Sequence, residues 1–293
     1  MDIFSGLEKV VKKDWPLSKE TWYGIGGKAD YFIRPGNTEQ LKKVVERCNE
    51  QEMKVYVLGF GSNLLISDEG VRGAVVKLDG ESFNRSSFNG DRLTVGAGVN
   101  LNDLVFESVR KGFTGLEALT GIPGSLGGAI KMNAGGNFGD IGAVVETVTL
   151  MDSYGNVFKK SKPELMFGYR ESNITAKYIL EAELKLTPTD SEQALKTVKE
   201  VWIYKKNTQP LEGANAGCVF KNPRGVSAGA LIDRAGLKGL QIGGAKISEK
   251  HANFIIAEKG GSSRDIIRLI DAIRQRLKEE FDVELELELE IWD

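Results

Sequence analysis

The stretch LTGIPGSLGGAIKMNAGG, residues 119–136, is the most unusual segment of the sequence. Glycines recur through it, with small or apolar residues between them. Glycine loses more conformational freedom on folding than any other residue, so a loop of this composition is expected to contact a flat or charged ligand closely. Its backbone N–H groups could neutralise a pyrophosphate without a lysine. A flexible surface loop is disfavoured by the apolar side chains inside the stretch: Ile122, Leu126, Ile130 and Met132.

A second glycine loop, GFGSNLL at residues 59–65, follows a predicted strand. It departs from the dinucleotide-binding pattern G-x-G-x-x-G because Leu64 stands where the third glycine would be. Its amides, with Ser62 and Asn63, could hold a phosphate, or the segment could be a plain tight turn; the residues alone leave both open. The chain has no G-x-x-x-x-G-K-[ST] sequence, which excludes an ATPase phosphate loop of that type.

The overall composition excludes several classes of function. Lys and Arg number 39 against 41 Asp and Glu, a formal net charge of -2 that disfavours nucleic-acid binding. His251 is the only histidine, so a multi-histidine metal site is excluded and no metal is predicted. Two cysteines, Cys48 and Cys218, cannot form a disulfide framework or a four-cysteine zinc site, and this is typical of a reducing cytoplasm.

Two further features of the composition bear on location and on ligands. The sequence shows no signal-peptide core and no apolar run long enough to cross a membrane. A cytoplasmic protein without membrane association is therefore expected. Glycine accounts for 35 of the 293 residues, well above the usual share of about 7%, which indicates many sharp turns or close approaches to a ligand.

Hydrophobic periodicity predicts a mixture of helices and strands. Apolar residues at helical spacing predict helices over residues 3–11, 101–111, 190–207, 227–236 and 262–281. Asn37 and Gln40 resemble a capping box, and the helix after them is expected to pack Cys48 on its apolar face. Alternating apolar residues predict strands over 29–34, 178–186 and 253–257, and a hairpin over 145–159 with its turn at 154–156.

The segment VELELELEIW, residues 283–292, alternates strictly and predicts a strand. Its acidic face carries Glu284, Glu286, Glu288 and Glu290. Successive carboxylates on one face of a strand stand roughly 6.6 Å apart, so at most one or two could reach a single reaction centre. A solvated edge strand without any catalytic role is the alternative.

Two further segments carry candidate chemical groups. FGYRES, residues 167–172, leads into Arg170, a permanent planar cation suited to a carboxylate or phosphate, although most arginines are solvated surface residues. GANAGCVFKNP, residues 213–223, places Cys218 between small residues in a turn-rich segment. Its thiol could donate a proton, act as a nucleophile, or be an inert packed side chain.

Taken together, these blocks resemble the UDP-N-acetylenolpyruvoylglucosamine reductase family, flavoenzymes of peptidoglycan precursor synthesis. The matching segments run in the family's order along most of the chain: TWYGIGGKADYFIRP, LGFGSNLLISDEG, GLEALTGIPGSLGGAIKMNAGG, FGYRES, TQPLEGANAGCVFKNP, GALIDRAGLKG, SEKHANFI and ELELE. The middle glycine-rich block and AGCVFKNP together make the resemblance specific. The absence of an insert with a tyrosine loop places the chain with the shorter class of the family.

The resemblance implies an α+β fold with the FAD-binding fold of the vanillyl-alcohol oxidase and para-cresol methylhydroxylase (PCMH) type, followed by a C-terminal α/β substrate-binding domain. The implied boundaries are residues 1–75 and 76–189 for two FAD-binding subdomains and 190–293 for the substrate domain. It implies bound FAD, NADPH as hydride donor and a nucleotide-sugar substrate, with no nucleic acid, membrane or obligate protein partner. NADPH reduces the flavin, which then reduces the enolpyruvyl group of the substrate to the lactyl ether of UDP-N-acetylmuramate.

Site residues are carried over from the resemblance by position. Arg170 and Glu288 would polarise the substrate carboxylate, with Glu288 a protonated partner or an orienting acceptor, and Cys218 would protonate the substrate carbon. The residues expected at FAD are Tyr23, Gly59, Gly61, Ser62, Asn63, Leu64, Gly121, Ile122, Pro123, Gly124, Ser125, Gly127, Gly128, Ala129, Asn133, Ala134 and Gly135. Those expected at the substrate are Tyr169, Lys205, Lys221 and Asn222.

This sequence departs from the family pattern at two of these positions. Many members have serine where this chain has Cys218; a thiol is the better acid, so the role is expected to survive. An arginine often precedes the Gln-Pro dipeptide as a phosphate contact, and here Lys205 or Lys206 stands there, a point charge without a bidentate fork. Glu288 is chosen by its distance from Phe281, and Glu286 is the nearest alternative.

Two other functions remain open at the level of sequence. A flavin oxidase on the same cofactor fold would bind FAD, consume oxygen and ignore NADPH. A binding module without redox chemistry would use its glycine loops to hold a nucleotide sugar or another anion. A binding module would not need the candidate catalytic groups Arg170, Cys218 and Glu288. Their presence in this order therefore disfavours that alternative.

Overall fold

The computed structural model describes residues 3–293, which form two compact units. Of the described residues, the first unit contains 3–14, then Asp30–Phe60 and Arg72–Tyr204. The second contains Trp15–Ala29, Gly61–Val71 and Lys205–Asp293. Two short segments from the first quarter of the chain therefore fold with its last third, which a division at single boundaries does not anticipate.

Helices and strands alternate irregularly, as an α+β organisation requires. The α-helices of the described residues are α1 (Thr38–Glu50), α2 (Leu101–Arg110), α3 (Leu126–Lys131), α4 (Ser191–Thr208), α5 (Ala228–Arg234) and α6 (Ser263–Phe281). Short 3-10 helices cover Leu17–Glu20, Glu81–Phe83, Glu117–Leu119, Ile141–Ala143 and Lys162–Glu164.

The strands are short, and most of them lie in the first unit. They are β1 (Val11–Pro16), β2 (Lys28–Ile33), β3 (Val55–Leu58), β4 (Leu64–Ile66), β5 (Val71–Lys77), β6 (Ser86–Asn89), β7 (Arg92–Gly96), β8 (Phe113–Thr114), β9 (Gly135–Gly136), β10 (Gly139–Asp140), β11 (Val145–Met151), β12 (Val157–Ser161), β13 (Phe167–Gly168), β14 (Glu171–Ser172), β15 (Tyr178–Lys185), β16 (Thr187–Pro188), β17 (Gln241–Ile242), β18 (Ala245–Ile247), β19 (Ile255–Ala257) and β20 (Glu290–Trp292).

One sheet of four strands, in the order β1-β2-β5-β3, packs against α1. The Asn37 side chain accepts a hydrogen bond from Gln40 N and begins the helix, as predicted. Gln40 Oε1 accepts from Gly36 N rather than from Asn37 N, so only half of the expected capping box forms. The apolar face predicted for this helix is confirmed: Leu41, Val44, Val45 and Cys48 are buried. Burial raises the pKa of the Cys48 thiol to about 11.

A second sheet of five strands, in the order β12-β11-β15-β7-β6, forms the larger core of the first unit with α2 and α3. The predicted hairpin is β11 and β12, which pair antiparallel. Its turn is held by the Asp152 carboxylate, which accepts hydrogen bonds from Tyr154 N and Asn156 N. The predicted strand over 178–186 is the central strand β15, paired with β11 on one side and β7 on the other.

The second unit is built around α6, whose apolar face is buried among residues of α5 and the sheet β17-β18-β19. A capping box begins this helix: Ser262 Oγ accepts from Asp265 N, and Asp265 Oδ2 accepts from Ser262 N. A parallel pair of strands, β20 and β4, joins the C-terminal segment to residues 64–66. The Asp68 carboxylate also accepts hydrogen bonds from Ser263 N and Oγ at the start of α6.

Two predicted elements are wrong. Residues 3–10 form successive tight turns rather than a helix, with Leu7 N bonded to Phe4 O and Val10 N to Leu7 O. Gly6, at φ +83°, takes a left-handed conformation that a right-handed helix cannot contain. The side chains of Phe4 and Leu7 are both buried, as the apolar spacing suggests, although the backbone between them is not helical.

The long terminal strand is the second error, because regular pairing is confined to Glu290–Trp292 and to a single bridge between Leu287 and Phe220. At two carbonyls of residues 283–289, the hydrogen-bond donor is a side chain rather than the backbone of a neighbouring strand. Arg274 Nε donates to Leu285 O at 3.2 Å, and Asn63 Nδ2 donates to Glu288 O at 2.8 Å.

Close backbone crossings should make some glycines irreplaceable. Gly61 and Gly90 have nearly the same conformation, at φ +63° and +60°. A Cβ at Gly61 would lie 2.1 Å from Glu20 O, whereas one at Gly90 would meet nothing within 4 Å. We expect Gly90→Ala to lower the free energy of unfolding by about 1 kcal/mol, through the left-handed backbone alone. Gly61→Ala should lower it by more than about 3 kcal/mol. Urea unfolding of both variants measures this, and equal losses would contradict it.

Candidate active site

The glycine-rich segment over 121–128 is fixed by hydrogen bonds to its own unit. Gly121 N donates to Asn102 Oδ1 at 2.7 Å, and Gly127 N donates to Ala97 O at 2.8 Å. Ser125 is the N-cap of α3 and accepts from Gly128 N. The N–H groups of Gly121, Gly127 and Gly128 therefore already donate hydrogen bonds to protein atoms. A pyrophosphate would have to bind to other groups of the segment.

Gly59 brings the end of β3 against this segment. A Cβ on Gly59 would lie 2.8 Å from Ser125 Oγ, so a larger residue at 59 would require the serine side chain to move. Gly59, Gly121, Ile122, Pro123 and Gly124 are half-buried. This half-buried edge consists mainly of backbone and small side chains. It fits a flat, anionic group such as the pyrophosphate of FAD, and both predicted FAD segments of the first unit contribute to it.

The continuation of the first glycine loop, Gly61–Leu64, belongs to the second unit. Gly61 is buried, and its carbonyl accepts a hydrogen bond from Trp22 N at 3.1 Å. Ser62 is half-buried. The side-chain Nδ2 of Asn63 donates a hydrogen bond to the carbonyl oxygen of Glu288. Part of the loop expected at FAD therefore also contacts a segment expected at the substrate.

Tyr23 lies in the hydrophobic core of the second unit, where 2% of its surface is exposed. Burial raises the pKa of its hydroxyl well above the ordinary value, and the backbone of Ala216 opposes part of that effect. A contact between Tyr23 and FAD stays a prediction.

Asn133 is buried and holds two backbone groups of the first unit. Its Nδ2 donates to Gly168 O at 2.9 Å, and its Oδ1 accepts from Gly142 N at 3.0 Å. Gly168 precedes the turn that carries Arg170. The side chain expected at FAD therefore supports the hairpin of the expected catalytic arginine, and its contact with FAD stays a prediction, as do those of Ala129, Ala134 and Gly135.

Arg170 occupies the turn between β13 and β14, with φ +59°. This left-handed conformation costs a non-glycine residue about 1–2 kcal/mol, and such strain often marks functional positions. The guanidinium carbon stands 5.2 Å from the ring centroid of Tyr169, whose side chain is 51% exposed. The turn thus presents a cation and an aromatic ring side by side.

In the second unit a short backbone ladder places Glu288 beside the residue that follows Cys218. Glu288 N donates to Val219 O at 2.9 Å, and Phe220 pairs with Leu287. Cys218 is half-buried. Glu288 is also half-buried, unlike the three other glutamates of the repeat, Glu284, Glu286 and Glu290, which are exposed. Glu288 is thus the half-buried glutamate of the four, and the roles of Glu288 and Cys218 stay predictions.

The residues expected at the substrate differ in their surroundings. Lys205 is buried, with 8% exposure, whereas Lys206 is exposed and its carbonyl accepts a hydrogen bond from Lys250 Nζ. Lys221 Nζ pairs with Glu286 at 2.5 Å. Asn222 Oδ1 accepts from Ala228 N at 2.9 Å, at the start of α5. The last two side chains already have partners in the protein, and their contact with substrate stays a prediction.

Asn253 is a residue that the sequence argument missed. It is buried, and its side chain bonds both backbone groups of Phe220: Oδ1 accepts from Phe220 N at 3.0 Å and Nδ2 donates to Phe220 O at 2.8 Å. The motif SEKHANFI contained it, but no pattern along the chain connects it with residue 220. His251 accepts a hydrogen bond from Asn253 N at Nδ1.

Comparisons with known proteins identify the family of the chain. A model of the UDP-N-acetylenolpyruvoylglucosamine reductase C-terminal domain matches residues 209–292, and an FAD binding domain model matches residues 29–161. UDP-N-acetylenolpyruvoylglucosamine reductase 2 of Symbiobacterium thermophilum is 39% identical over 96% of this chain and 92% of that protein. The chain belongs to the UDP-N-acetylenolpyruvoylglucosamine reductase family.

Other members of the UDP-N-acetylenolpyruvoylglucosamine reductase family give the same result. The enzyme of that name from Bacillus subtilis strain 168 is 38% identical, covering 94% of this chain and 92% of that protein. The crystal structure of the reductase from Thermus caldophilus aligns with a TM-score of 0.82 and 38% identity, over 97% of this chain and 98% of that chain. A glucose dehydrogenase, Phl p 4.0202, aligns at a TM-score of 0.50 and 15% identity, over 64% of this chain and 44% of that chain, which shows a shared fold alone.

The predicted fold class, an α+β protein with an FAD-binding fold of the PCMH type, is thereby confirmed. The chain is an FAD-dependent oxidoreductase of the reductase family. Within residues 3–293, no group of three or more His, Cys, Asp or Glu side chains is arranged to hold a metal ion. In the same range, no helix is both long and apolar enough to cross a membrane.

The strained turn gives a first prediction. Arg170→Gly and Arg170→Ala both remove the guanidinium, but only glycine accepts φ +59° without strain. We therefore expect the glycine variant to have a free energy of unfolding about 1 kcal/mol higher than the alanine variant. Urea unfolding of the pair measures the difference, and a more stable alanine variant would show that the turn is not strained.

His251 gives a second prediction. Burial lowers the pKa of His251 below its ordinary value of 6.5, with Lys238 adding to the effect. The unfolded chain therefore takes up the proton first, so the stability contributed by neutral His251 is present above about pH 6.5 and is lost as the pH falls through the folded-state pKa. We expect urea unfolding between about pH 5 and 7 to show this decline. His251→Gln should remove that part of the pH dependence, and an unchanged slope would assign it to other groups.

Proposed function

We propose that this chain reduces UDP-N-acetylenolpyruvoylglucosamine to UDP-N-acetylmuramate with hydride from NADPH, for the synthesis of peptidoglycan precursors. The chain's family membership supports the reaction. The observation that carries the assignment of residues is the ladder in the second unit, where Glu288 N donates to Val219 O, one residue beyond Cys218. That ladder places the backbone of Glu288 against the residue that follows Cys218.

Bound FAD would supply the chemistry of hydride transfer from NADPH to the methylene carbon of the substrate's double bond. We propose that the half-buried edge around Gly59 and Gly121–Ser125 holds the pyrophosphate. The close approach of Gly59 to Ser125 and the half-buried backbone of this edge support that placement. The remaining predicted FAD contacts belong to the same proposal.

Arg170 is proposed to stabilise the negative charge that hydride transfer creates. Hydride addition to the methylene carbon leaves an enolate conjugated with the substrate carboxylate. A fixed cation near the oxygen where charge develops lowers the barrier because it needs no reorganisation during the reaction. Arg170 lies in a tight turn with φ +59°, and Asn133 bonds to the carbonyl of Gly168 just before that turn, which supports a fixed position for the cation.

Cys218 is proposed to donate the proton that completes the reaction. The neighbouring carbon of the enolate takes one proton while the methylene carbon takes the hydride, so the product has gained both and NADPH has become NADP+. A thiol is mostly protonated at neutral pH and is a competent donor. Glu288 would orient or polarise the substrate carboxylate beside it.

The remaining substrate contacts are proposed at the borders of this site. Lys205 or Lys206 would meet a phosphate of the nucleotide as a point charge. Tyr169, Lys221 and Asn222 would contact the rest of the substrate. Because Lys221 pairs with Glu286 and Asn222 bonds to Ala228 N, their substrate contacts would have to be shared with these partners.

We propose that residues 1–75 and 76–189 carry FAD and that 190–293 carry the substrate. Met1 and Asp2 lie outside the described residues. The second compact unit supports a separate substrate domain, although it also includes Trp15–Ala29 and Gly61–Val71. A cytoplasmic location is proposed because NADPH and nucleotide-sugar precursors are made there, and cell fractionation tests it. No nucleic-acid, membrane or obligate protein partner is proposed.

An anaerobic absorption experiment tests the reaction. We expect the purified protein to be yellow, to bleach with NADPH, and to recolour on addition of UDP-N-acetylenolpyruvoylglucosamine. Recolouring only by oxygen would indicate a flavin oxidase instead. A colourless protein that cannot be reconstituted with FAD would leave only a binding module.

Variants test the residue roles. Arg170→Ala should reduce turnover by about 1,000-fold while FAD remains bound, and a near-normal kcat would remove Arg170 from the mechanism.

Cys218→Ser should keep substantial activity, because a hydroxyl can still donate a proton. Cys218→Ala should lose the reoxidation of reduced flavin by substrate while keeping reduction by NADPH. Stopped-flow absorbance separates the two half-reactions.

A further inference from the structure

The edge proposed for the pyrophosphate contains a loop, residues 120–125, that its own sequence leaves flexible. Gly121 and Gly124, at φ +71° and +152°, take backbone conformations that other residues rarely adopt. Glycine also loses more conformational freedom on ordering than any other residue. Contacts from outside this edge loop therefore have to hold it in one conformation.

The C-terminal half of the edge loop is held by backbone pairing with residues 97–101. Three hydrogen bonds make this short ladder: Gly127 N to Ala97 O at 2.8 Å, Leu126 N to Val99 O at 2.9 Å, and Leu101 N to Gly124 O at 3.0 Å. The ladder ends at Gly124, so it leaves the first half of the edge loop to other contacts.

The side chain of Asn102 holds that first half. Its Oδ1 accepts from Gly121 N at 2.7 Å, and its Nδ2 donates to Ile122 O at 3.2 Å. Asn102 directly follows Leu101, whose N–H makes the last backbone bond of the ladder. One side-chain amide, with its donor and its acceptor, thus continues the ladder to two more residues of the loop.

Asn102 is itself fixed by the start of α2. Its N–H donates to Asn100 Oδ1 at 2.9 Å, in the capping contact that begins the helix. The side chain of Leu101, just before it, is buried in the core of the first unit. A side chain on the first turn of a capped and packed helix has a well-defined origin, and sites supported by such elements are held more precisely than sites supported by loops.

Two neighbouring polar side chains are the other candidates for holding the edge loop. The Glu117 carboxylate accepts from Gly115 N at 2.7 Å, ahead of the loop. Asn100 Oδ1 accepts from Asn102 N and from Asp103 N, within the first turn of α2. These contacts stabilise the segments on either side and do not replace the two bonds that Asn102 makes to the loop.

We infer that Asn102 is a positioning residue that holds the edge loop in the conformation that receives the pyrophosphate of FAD. The inference rests on the proposed function, since the pyrophosphate is itself placed at this edge by proposal. A loop that is already ordered binds more tightly, because less conformational entropy is lost on binding. Alanine is the best helix former, so Asn102→Ala should keep α2 and weaken the binding of FAD.

Hydrogen exchange of the full-length protein, before FAD is added, tests the contact. In Asn102→Ala the Gly121 amide should exchange at least about 10-fold faster, while the Gly127 amide, which is bonded to backbone, should change by no more than about 2-fold. Asn102→Asp should keep the Gly121 amide protected, because a carboxylate oxygen can accept the same bond. Unchanged exchange at Gly121 in Asn102→Ala would overturn the inference.

Titration of the same protein with FAD tests the consequence. Asn102→Ala should raise the Kd for FAD about 10-fold, whereas Asn49→Ala should change it by no more than about 2-fold. Asn49 is the matched control because its Nδ2 also donates to a backbone carbonyl of the first unit, that of Ser153, at 2.8 Å. An unchanged Kd in Asn102→Ala, or an equal rise in both variants, would overturn the inference.

Phosphorus NMR of the FAD-saturated protein locates the effect, which a purely structural role of Asn102 would not produce. The pyrophosphate resonances should shift in Asn102→Ala and keep their positions in Asn49→Ala. Unshifted resonances in Asn102→Ala would overturn the inference. If that variant does not fold, Asn102→Ser, whose side chain is too short to bond both groups, decides by the same measurements.

Failure of the proposed function looks different. In a flavin oxidase with the same cofactor edge, the Kd for FAD and the phosphorus resonances would still respond to Asn102→Ala. The reduced protein would then be recoloured by oxygen and not by UDP-N-acetylenolpyruvoylglucosamine. That result would remove the proposed reaction and leave the role of Asn102 standing.

Discussion

The parallel pairing of β4 with β20 is the contact on which the second unit depends. It joins residues 64–66 to residues 290–292, and Ser67 N extends it with a hydrogen bond to Trp292 O. The Asp68 carboxylate then fastens the same loop to the start of α6. Through these bonds a short segment of the predicted cofactor loop becomes part of the proposed substrate domain, and Asn63 comes to lie against Glu288.

Elements defined by local patterns were predictable from the sequence. The α1 helix, the β11–β12 hairpin and the α6 helix each have their periodicity and their capping or turn residues within about twenty residues of sequence. Local sequence is therefore sufficient to predict them. Glycine-rich segments also indicated a cofactor surface before any geometry was known. The fold was reached by combining those segments with a family resemblance, since no single motif determines it.

What the sequence could not show is pairing between distant segments. Residues 15–29 and 61–71 fold with the last third of the chain, and apolar periodicity contains no information about such partners. The helix predicted over residues 3–11 is wrong because Gly6 interrupts the helical pattern. The strand predicted over residues 283–292 is too long, because carbonyls of this segment bond to the side chains of Arg274 and Asn63 rather than to a neighbouring strand.

Several side chains expected at ligands also bond to the backbone. Asn133 supports the hairpin that carries Arg170, and Asn222 bonds to the start of α5. Asparagine suits both tasks, because its amide offers a donor and an acceptor to a ligand or to the main chain. Residue type alone therefore cannot separate a group that touches substrate from one that positions it; the separation needs the three-dimensional partners.

The pairing of β4 with β20 also bears on how the chain folds during synthesis. A ribosome releases residues 64–66 more than two hundred residues before their partners at 290–292. Contacts of such long sequence separation form late and slowly. The apolar residues of β4, all buried in the folded protein, therefore lack these partners until residues 290–292 have been synthesised, and a chaperone that shields them during that interval would raise the yield of folded enzyme.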